Sequence, residues 1–301
     1  MISPALVERS IQDGGRRAEA MIRASRSRRL AAAAKPFAGY LIMEGDSWFD
    51  YPLYHDVAEA LKDDFNYKIK SAAHFGDTVA SMAYDHGQLG AIRDQFSELA
   101  EDGKTARAIL VSCAGNDVVD VLGALLNHRQ SNLGPVNASV AKGVFDEQLP
   151  QAIGSLVGTL MQLSTTYFNE VRPILIHGYG NPIPDGRGYP ILGLRGPWLK
   201  PVFGRRGYVS VEPQPQPELK ANADVMAELM GLFNDEVLPA IAAASGGNVT
   251  YVDVRPALVS DVAGRSYEAS WEDELHATKA GFKAVARLIH AAIQVAAPAV
   301  P

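Results

Sequence analysis

Five short apolar runs, each separated from the next by a longer stretch with helical spacing, limit most tightly how this chain can fold. They are Ala38–Met43 (AGYLIM), Tyr67–Ala72 (YKIKSA), Ala106–Cys113 (ARAILVSC), Val171–His177 (VRPILIH) and Asn248–Val254 (NVTYVDV). Each has the length of a strand and ends near Gly, Asp or Asn. Helical patterns lie between them at His55–Asp63, Gly90–Ala100, Phe145–Tyr167, Glu218–Ala244 and Thr278–Val295. Strands that alternate with helices are joined by right-handed crossovers, which makes the sheet parallel and the fold α/β. Ligands of such sheets sit beyond the carboxyl ends of the strands, so chemistry is expected in the loops that follow each run.

Composition removes several alternatives. A chain of 301 residues, 47% hydrophobic and 21% charged, has the balance of a globular protein and not of collagen, a coiled coil or a disordered chain. No stretch approaches the roughly 20 apolar residues of a membrane-spanning helix. Cys113 is the one cysteine, which excludes an internal disulfide and a cysteine-cluster metal site. At the end of an apolar strand it reads as a buried, inert thiol. A net charge of −6 argues against a nucleic-acid binder.

The charge is uneven. Residues 1–35 hold eight Arg and Lys against three Asp and Glu. The apolar run that follows, Leu30–Ala34, is cut by Lys35-Pro36 and is too short for a secretory signal. The Arg- and Ser-bearing composition comes nearer to a transit peptide, against which the three acids speak. The expected organisation is a basic helical extension over 1–37, lying on the domain or joining a second copy in a homo-oligomer, then one domain over 38–301, in the cytoplasm. Within that domain Asn181–Lys220 breaks the alternation, with eight of the 18 prolines. It is too rich in proline and glycine for a helix. Its Tyr189, Trp198, Phe203 and Tyr208 make it too aromatic for disorder, so it reads as an ordered insertion covering the sheet edge where the site is expected.

The loops after the strands carry reactive residue types. Gly45-Asp46-Ser47 follows the first run, and Gly45 permits a sharp turn that exposes the serine hydroxyl. Taken alone, a serine after an aspartate in a turn is also a common helix cap. After the second run, Phe75-Gly76-Asp77 offers a glycine N–H that can approach a ligand closely. Gly115-Asn116-Asp117 follows the third run and places a side-chain amide at the same edge. Just before the last helical pattern stands Trp271-Glu272-Asp273-Glu274-Leu275-His276. An acid three residues before a histidine can reach one ring nitrogen across a turn, which leaves the other to deprotonate a serine.

In these four blocks the chain resembles the SGNH hydrolases, the GDSL-type esterases and lipases. Gly45-Asp46-Ser47, Gly76, Gly115-Asn116-Asp117 and Asp273-x-x-His276 stand in the family's order, and the likeness covers residues 38–296. It implies a flavodoxin-like three-layer α/β/α sandwich with a five-stranded parallel sheet. It also implies a serine ester hydrolase that needs no metal or other cofactor: Ser47 as nucleophile, His276 as base and Asp273 as orienting acid, in preference to Glu272 or Glu274. The oxyanion hole would be the N–H groups of Ser47 and Gly76 with the side chain of Asn116. Two departures bear on substrate shape: Trp48-Phe49 follows the serine, and the second block reads His74-Phe75-Gly76-Asp77.

Trp48, Tyr179 and Trp198 are candidate substrate-binding residues, His177 is a candidate for the cleft wall, and His74 reads as a loop histidine. The expected partner is a small or lipid-like ester. On the same site a lysophospholipid, a thioester, an acetylated sugar or acyl transfer stay open. Other classes are a metallophosphoesterase, for which Asp46, Asp50, Asn116 and Asp117 give a superficial ligand set, and a non-catalytic binding protein.

Overall fold

The computed structural model describes residues 35–189, 196–208 and 216–298. The extension expected over 1–37 therefore lies, except for its last three residues, outside the described residues, as do 190–195 and 209–215 of the insertion. The strands are β1 (Gly39–Gly45), β2 (Tyr67–Ser71), β3 (Ala106–Ser112), β4 (Ile174–His177) and β5 (Val249–Val252). They form one sheet in the order β2-β1-β3-β4-β5, and every neighbouring pair is parallel. This is the flavodoxin-like order. Leu41, Ile42 and Met43 of β1 and Ala108, Ile109, Leu110 and Val111 of β3 are buried in succession. A strand covered on both faces has no solvent side and so reads as an unbroken apolar run.

Helices cover both faces. They are α1 (Val57–Phe65), α2 (Val79–Tyr84), α3 (His86–Glu101), α4 (Gly115–Leu125), α5 (Ala138–Lys142), α6 (Leu149–Phe168), α7 (Lys200–Arg205), α8 (Gln216–Gly231), α9 (Leu238–Ala244) and α10 (Lys279–Ala296). Helices α1 and α10 pack together on one face, while α6 packs with α2, α3 and α9 on the other. Buried Phe282, Val285, Ala286, Ile289 and Ile293 give α10 its inward stripe at helical spacing. Thr278 caps its start by accepting from the Gly281 N–H at 3.1 Å.

Several elements differ from the sequence reading. β4 begins at Ile174 rather than Val171, since Pro173 has no N–H to give a neighbouring strand. α2, α4 and α5 went unread: α2 and α5 have only 6 and 5 residues, and the Gly-Asn-Asp that opens α4 looks like pure loop. α7 lies inside the insertion taken to be free of helix. Its Pro201 falls in the first turn, where a missing N–H costs no hydrogen bond. The register pairs Gly45 with Ser112 and Ser112 with His177, so the ends of three central strands are level at the edge that carries the reactive loops.

Candidate active site

The turn after β1 is held by its own aspartate. Asp46 Oδ1 accepts from the Trp48 N–H (3.0 Å) and the Ser112 hydroxyl (2.7 Å), and its Oδ2 accepts from the Tyr179 hydroxyl. The N–H groups of Phe49 and Asp50 bond back to the Asp46 carbonyl at 3.0 and 3.1 Å, leaving Ser47 at the tip. A side chain at Gly45 would meet Ser112 Cβ and its carbonyl oxygen at 2.8 Å, so only glycine lets β1 and β3 close together beneath the serine. Burial pushes the Asp46 carboxyl up against the pull of its three donors. Both of its oxygens are thereby committed to holding the turn.

Ser47 meets His276 across 229 residues of sequence, Oγ to Nε2 at 2.8 Å. The ring's Nδ1 lies 2.9 and 3.0 Å from the two oxygens of Asp273. A carboxylate only accepts, so Nδ1 carries the proton and Nε2 is left to accept from the serine. Asp273 Oδ1 also accepts the N–H groups of Leu275 and His276, each at 2.8 Å, which folds 273–276 into a tight turn. Burial would raise the Asp273 carboxyl, but His276, the Leu275 N–H and the Tyr51 hydroxyl together leave it below its ordinary value.

The other wall comes from the loops after β2 and β3. Gly76 has φ +86, a left-handed backbone that favours glycine. The Phe75 N–H before it bonds Asp50 Oδ2 at 3.2 Å. Asn116 donates one amide hydrogen to the Asp77 carbonyl at 2.8 Å, and Asp117 Oδ2 accepts from the Val79 N–H at 2.8 Å. One hydrogen of the Asn116 amide is thereby left for a ligand. Ala114, just before α4, has φ 81, an uncommon conformation for a residue with a side chain, and it aims the start of that helix at the site. Ser47, Gly76, Asn116 and His276 line one cleft of about 280 Å³ together with Tyr189 and Trp198.

The remaining candidates separate. Trp198, from the insertion, stands edge-on to His276 with centroids 5.7 Å apart. Trp48 and Tyr179 are buried and committed to packing: the indole N–H of Trp48 bonds the Leu275 carbonyl at 3.1 Å, and Tyr179 holds Asp46. Both also border a second, smaller hollow beside Ser47. His177 does not line the cleft. It is buried, in a stacked pair with Trp48, and burial lowers its imidazole to about 4. His74 is an exposed loop residue 3.7 Å from Asp77. Cys113 is buried, and burial raises its thiol well above its ordinary range. Among the described residues, the one group with metal-ligand proximity is His55, Glu59 and Asp63, which does not include the cleft residues.

Three further residues, to which the resemblance gives no role, support these elements. The Tyr51 hydroxyl donates to Asp273 Oδ2 at 2.8 Å, and its ring stacks on the imidazole of His276, centroids 4.1 Å apart and planes 15° from parallel. Burial, with the nearby charge of Asp273, lifts the Tyr51 hydroxyl far above its ordinary range, so it stays a donor. Glu274, weighed in the sequence as a rival to Asp273, instead accepts four backbone N–H groups of the insertion. They are those of Gly186 and Lys200 at 2.9 Å and of Trp198 and Leu199 at 2.6 Å. Glu44 is buried at the end of β1 with Oε1 bonded to Gly45 and Gln88, and its Oε2 has no partner among the described residues.

No protein-family model and no curated protein matches the chain. Solved structures do resemble it. An acetylxylan esterase from Geobacillus stearothermophilus aligns at 14% identity and TM-score 0.44, over 85% of this chain and 94% of that one. A candidate SGNH hydrolase from Slackia heliotrinireducens gives 14% identity and TM-score 0.44, over 84% and 98%. A GDSL-like lipase from Bacteroides thetaiotaomicron gives 14% and 0.39, over 91% and 97%. At such values the four blocks and their geometry carry the functional reading, and the likenesses do not.

Proposed function

We propose that this chain is a serine ester hydrolase of the SGNH type, cleaving carboxylic esters through an acyl-Ser47 intermediate. The observation behind this reading is the unbroken chain Ser47 Oγ, His276 Nε2, His276 Nδ1, Asp273, facing Gly76 and Asn116 across one cleft. Ser47 Oγ attacks the ester carbonyl while its proton passes to Nε2. The oxyanion that forms accepts from the N–H groups of Ser47 and Gly76 and from the Asn116 amide. The carbon–oxygen bond to the alcohol then breaks, and the imidazolium returns the proton to the leaving oxygen. Water repeats the sequence on the acyl-serine: it gives a proton to Nε2, adds to the carbonyl, and releases the acid as Ser47 takes the proton back. Asp273 keeps the ring in its tautomer and supports its positive charge without being protonated.

The test is hydrolysis of 4-nitrophenyl esters by the wild type, Ser47→Ala and Asn116→Ala, with and without EDTA. The expected result is a chelator-insensitive rate that is lost in Ser47→Ala and falls by about 10²–10³ in kcat in Asn116→Ala. Full turnover by Ser47→Ala would overturn the reading.

A further inference from the structure

Two hollows meet at Ser47, and both are lined by Ser47, Asn116 and Leu275. They differ in one chemically decisive way. His276 lines the larger cleft and not the smaller pocket. In the reading above, the imidazolium protonates the departing alcohol oxygen, which requires that oxygen to be within hydrogen-bond reach of Nε2. The alcohol therefore leaves on the side of the larger cleft, and the acyl chain is directed to the smaller pocket.

That pocket measures about 50 Å³. A water-sized group needs roughly 10–15 Å³ by this measure, so the space holds about three to five of them. Its walls include Trp48, Val119 of α4, and Met226 and Met230 of α8. Both methionines are buried, at 1% and 4% exposure, and Trp48 is tethered through its indole N–H to the Leu275 carbonyl. Walls packed this closely resist extra methylenes, since overfilling a well-packed interior is destabilising. The cleft on the His276 side offers about 280 Å³ between Phe75, Tyr189 and Trp198.

We propose that the substrates are esters of short acids, two to four carbons, whose bulk lies on the alcohol side, the acyl chain seated against Val119 and Met230. This rests on the serine-hydrolase reading and gives it a substrate class.

Isomeric esters test the division directly. Hexyl acetate and ethyl hexanoate share one formula, and both release a primary alkyl alcohol, so they differ in which side carries the chain. The expected kcat/KM for hexyl acetate exceeds that for ethyl hexanoate by at least about tenfold, the scale on which a pocket discriminates one methylene. Met230→Ala and, as a smaller change, Val119→Ala should each narrow that ratio by raising turnover of ethyl hexanoate. A ratio near one or inverted in the wild type, with both rates lost in Ser47→Ala, would overturn the division and keep the nucleophile. Labelling of Ser47 by a fluorophosphonate with neither isomer turned over would do the same. Absence of both labelling and turnover would overturn the serine-hydrolase reading, and the division with it.

Discussion

At the scale of single residues, the groups that do chemistry and the groups that hold them in place have very different visibility. Tyr51 supplies both a hydrogen bond to Asp273 and a stacked face for His276. Hydrogen bonds to charged groups contribute about 1.5–3 kcal/mol. Tyr51→Phe keeps the ring and removes the hydroxyl, so kcat is expected to fall about tenfold with KM changed little. Steady-state kinetics on one ester checks this, and equal loss through KM would mark Tyr51 as packing alone.

Glu44 carries a prediction of a different kind. Burial raises its carboxyl to about 7, against a value of 4.5 for the free group. Between those two values the folded chain holds a proton that the unfolded chain has released, so this residue's contribution to stability falls as pH rises, and stays low above 7. Glu44→Gln keeps an acceptor for Gly45 and Gln88 without the charge. Its thermal midpoint should drop less than the wild type's between pH 5 and pH 8. Each 1 kcal/mol corresponds to about 2–4 °C in domains of 150–250 residues. Parallel lines for the two proteins would refute the assignment. Neither Tyr51 nor Glu44 was legible in the sequence, because a tyrosine in a loop and an acid ending a strand have no spacing that singles them out. Ser47, Asn116, Asp273 and His276 were legible because each lies in a short polar block just past an apolar run or just before the last helix.

At the scale of elements, the insertion after β4 shows how a proline-rich segment becomes part of a wall. Its described portion is pinned from the loop that carries His276. Glu274 takes four of its N–H groups, and Arg187 returns a guanidinium hydrogen bond to the Trp271 carbonyl at 2.7 Å. The side chain between Asp273 and His276 in sequence thus fixes Trp198 beside the imidazole. Glu274→Gln places a donor where backbone N–H groups already point, and two like groups cannot satisfy each other. Trypsin is expected to cut the variant at Arg187, Arg205 or Arg206 at least about tenfold faster than the wild type, a ratio that corresponds to 1.4 kcal/mol of easier local opening. Unchanged cleavage would mean that the pinning lies elsewhere.

The same segment explains what the sequence withheld at this scale. Periodicity finds strands buried on both faces and long amphipathic helices such as α10. It is silent on α7, a helix of 6 residues whose first N–H groups are taken by the Glu274 carboxylate.

At the scale of the whole molecule, the sheet acts as a ruler. Parallel strands put all their carboxyl ends on one edge, and the register levels Gly45, Ser112 and His177 there. That is how residues as distant as Ser47 and His276 come within hydrogen-bond reach without a long side chain. It is also why the position of the site was readable before its residues were. The sequence holds three tryptophans, and all of them border this edge: Trp48 and Trp271 at the smaller pocket, Trp198 at the cleft. The remainder of the fold has no indole at all. The protein's tryptophan emission, excited at wavelengths where its 11 tyrosines do not absorb, is accordingly a signal from its site, and an unlabelled sample in a fluorimeter reports the polarity of that one neighbourhood as ligands enter and leave.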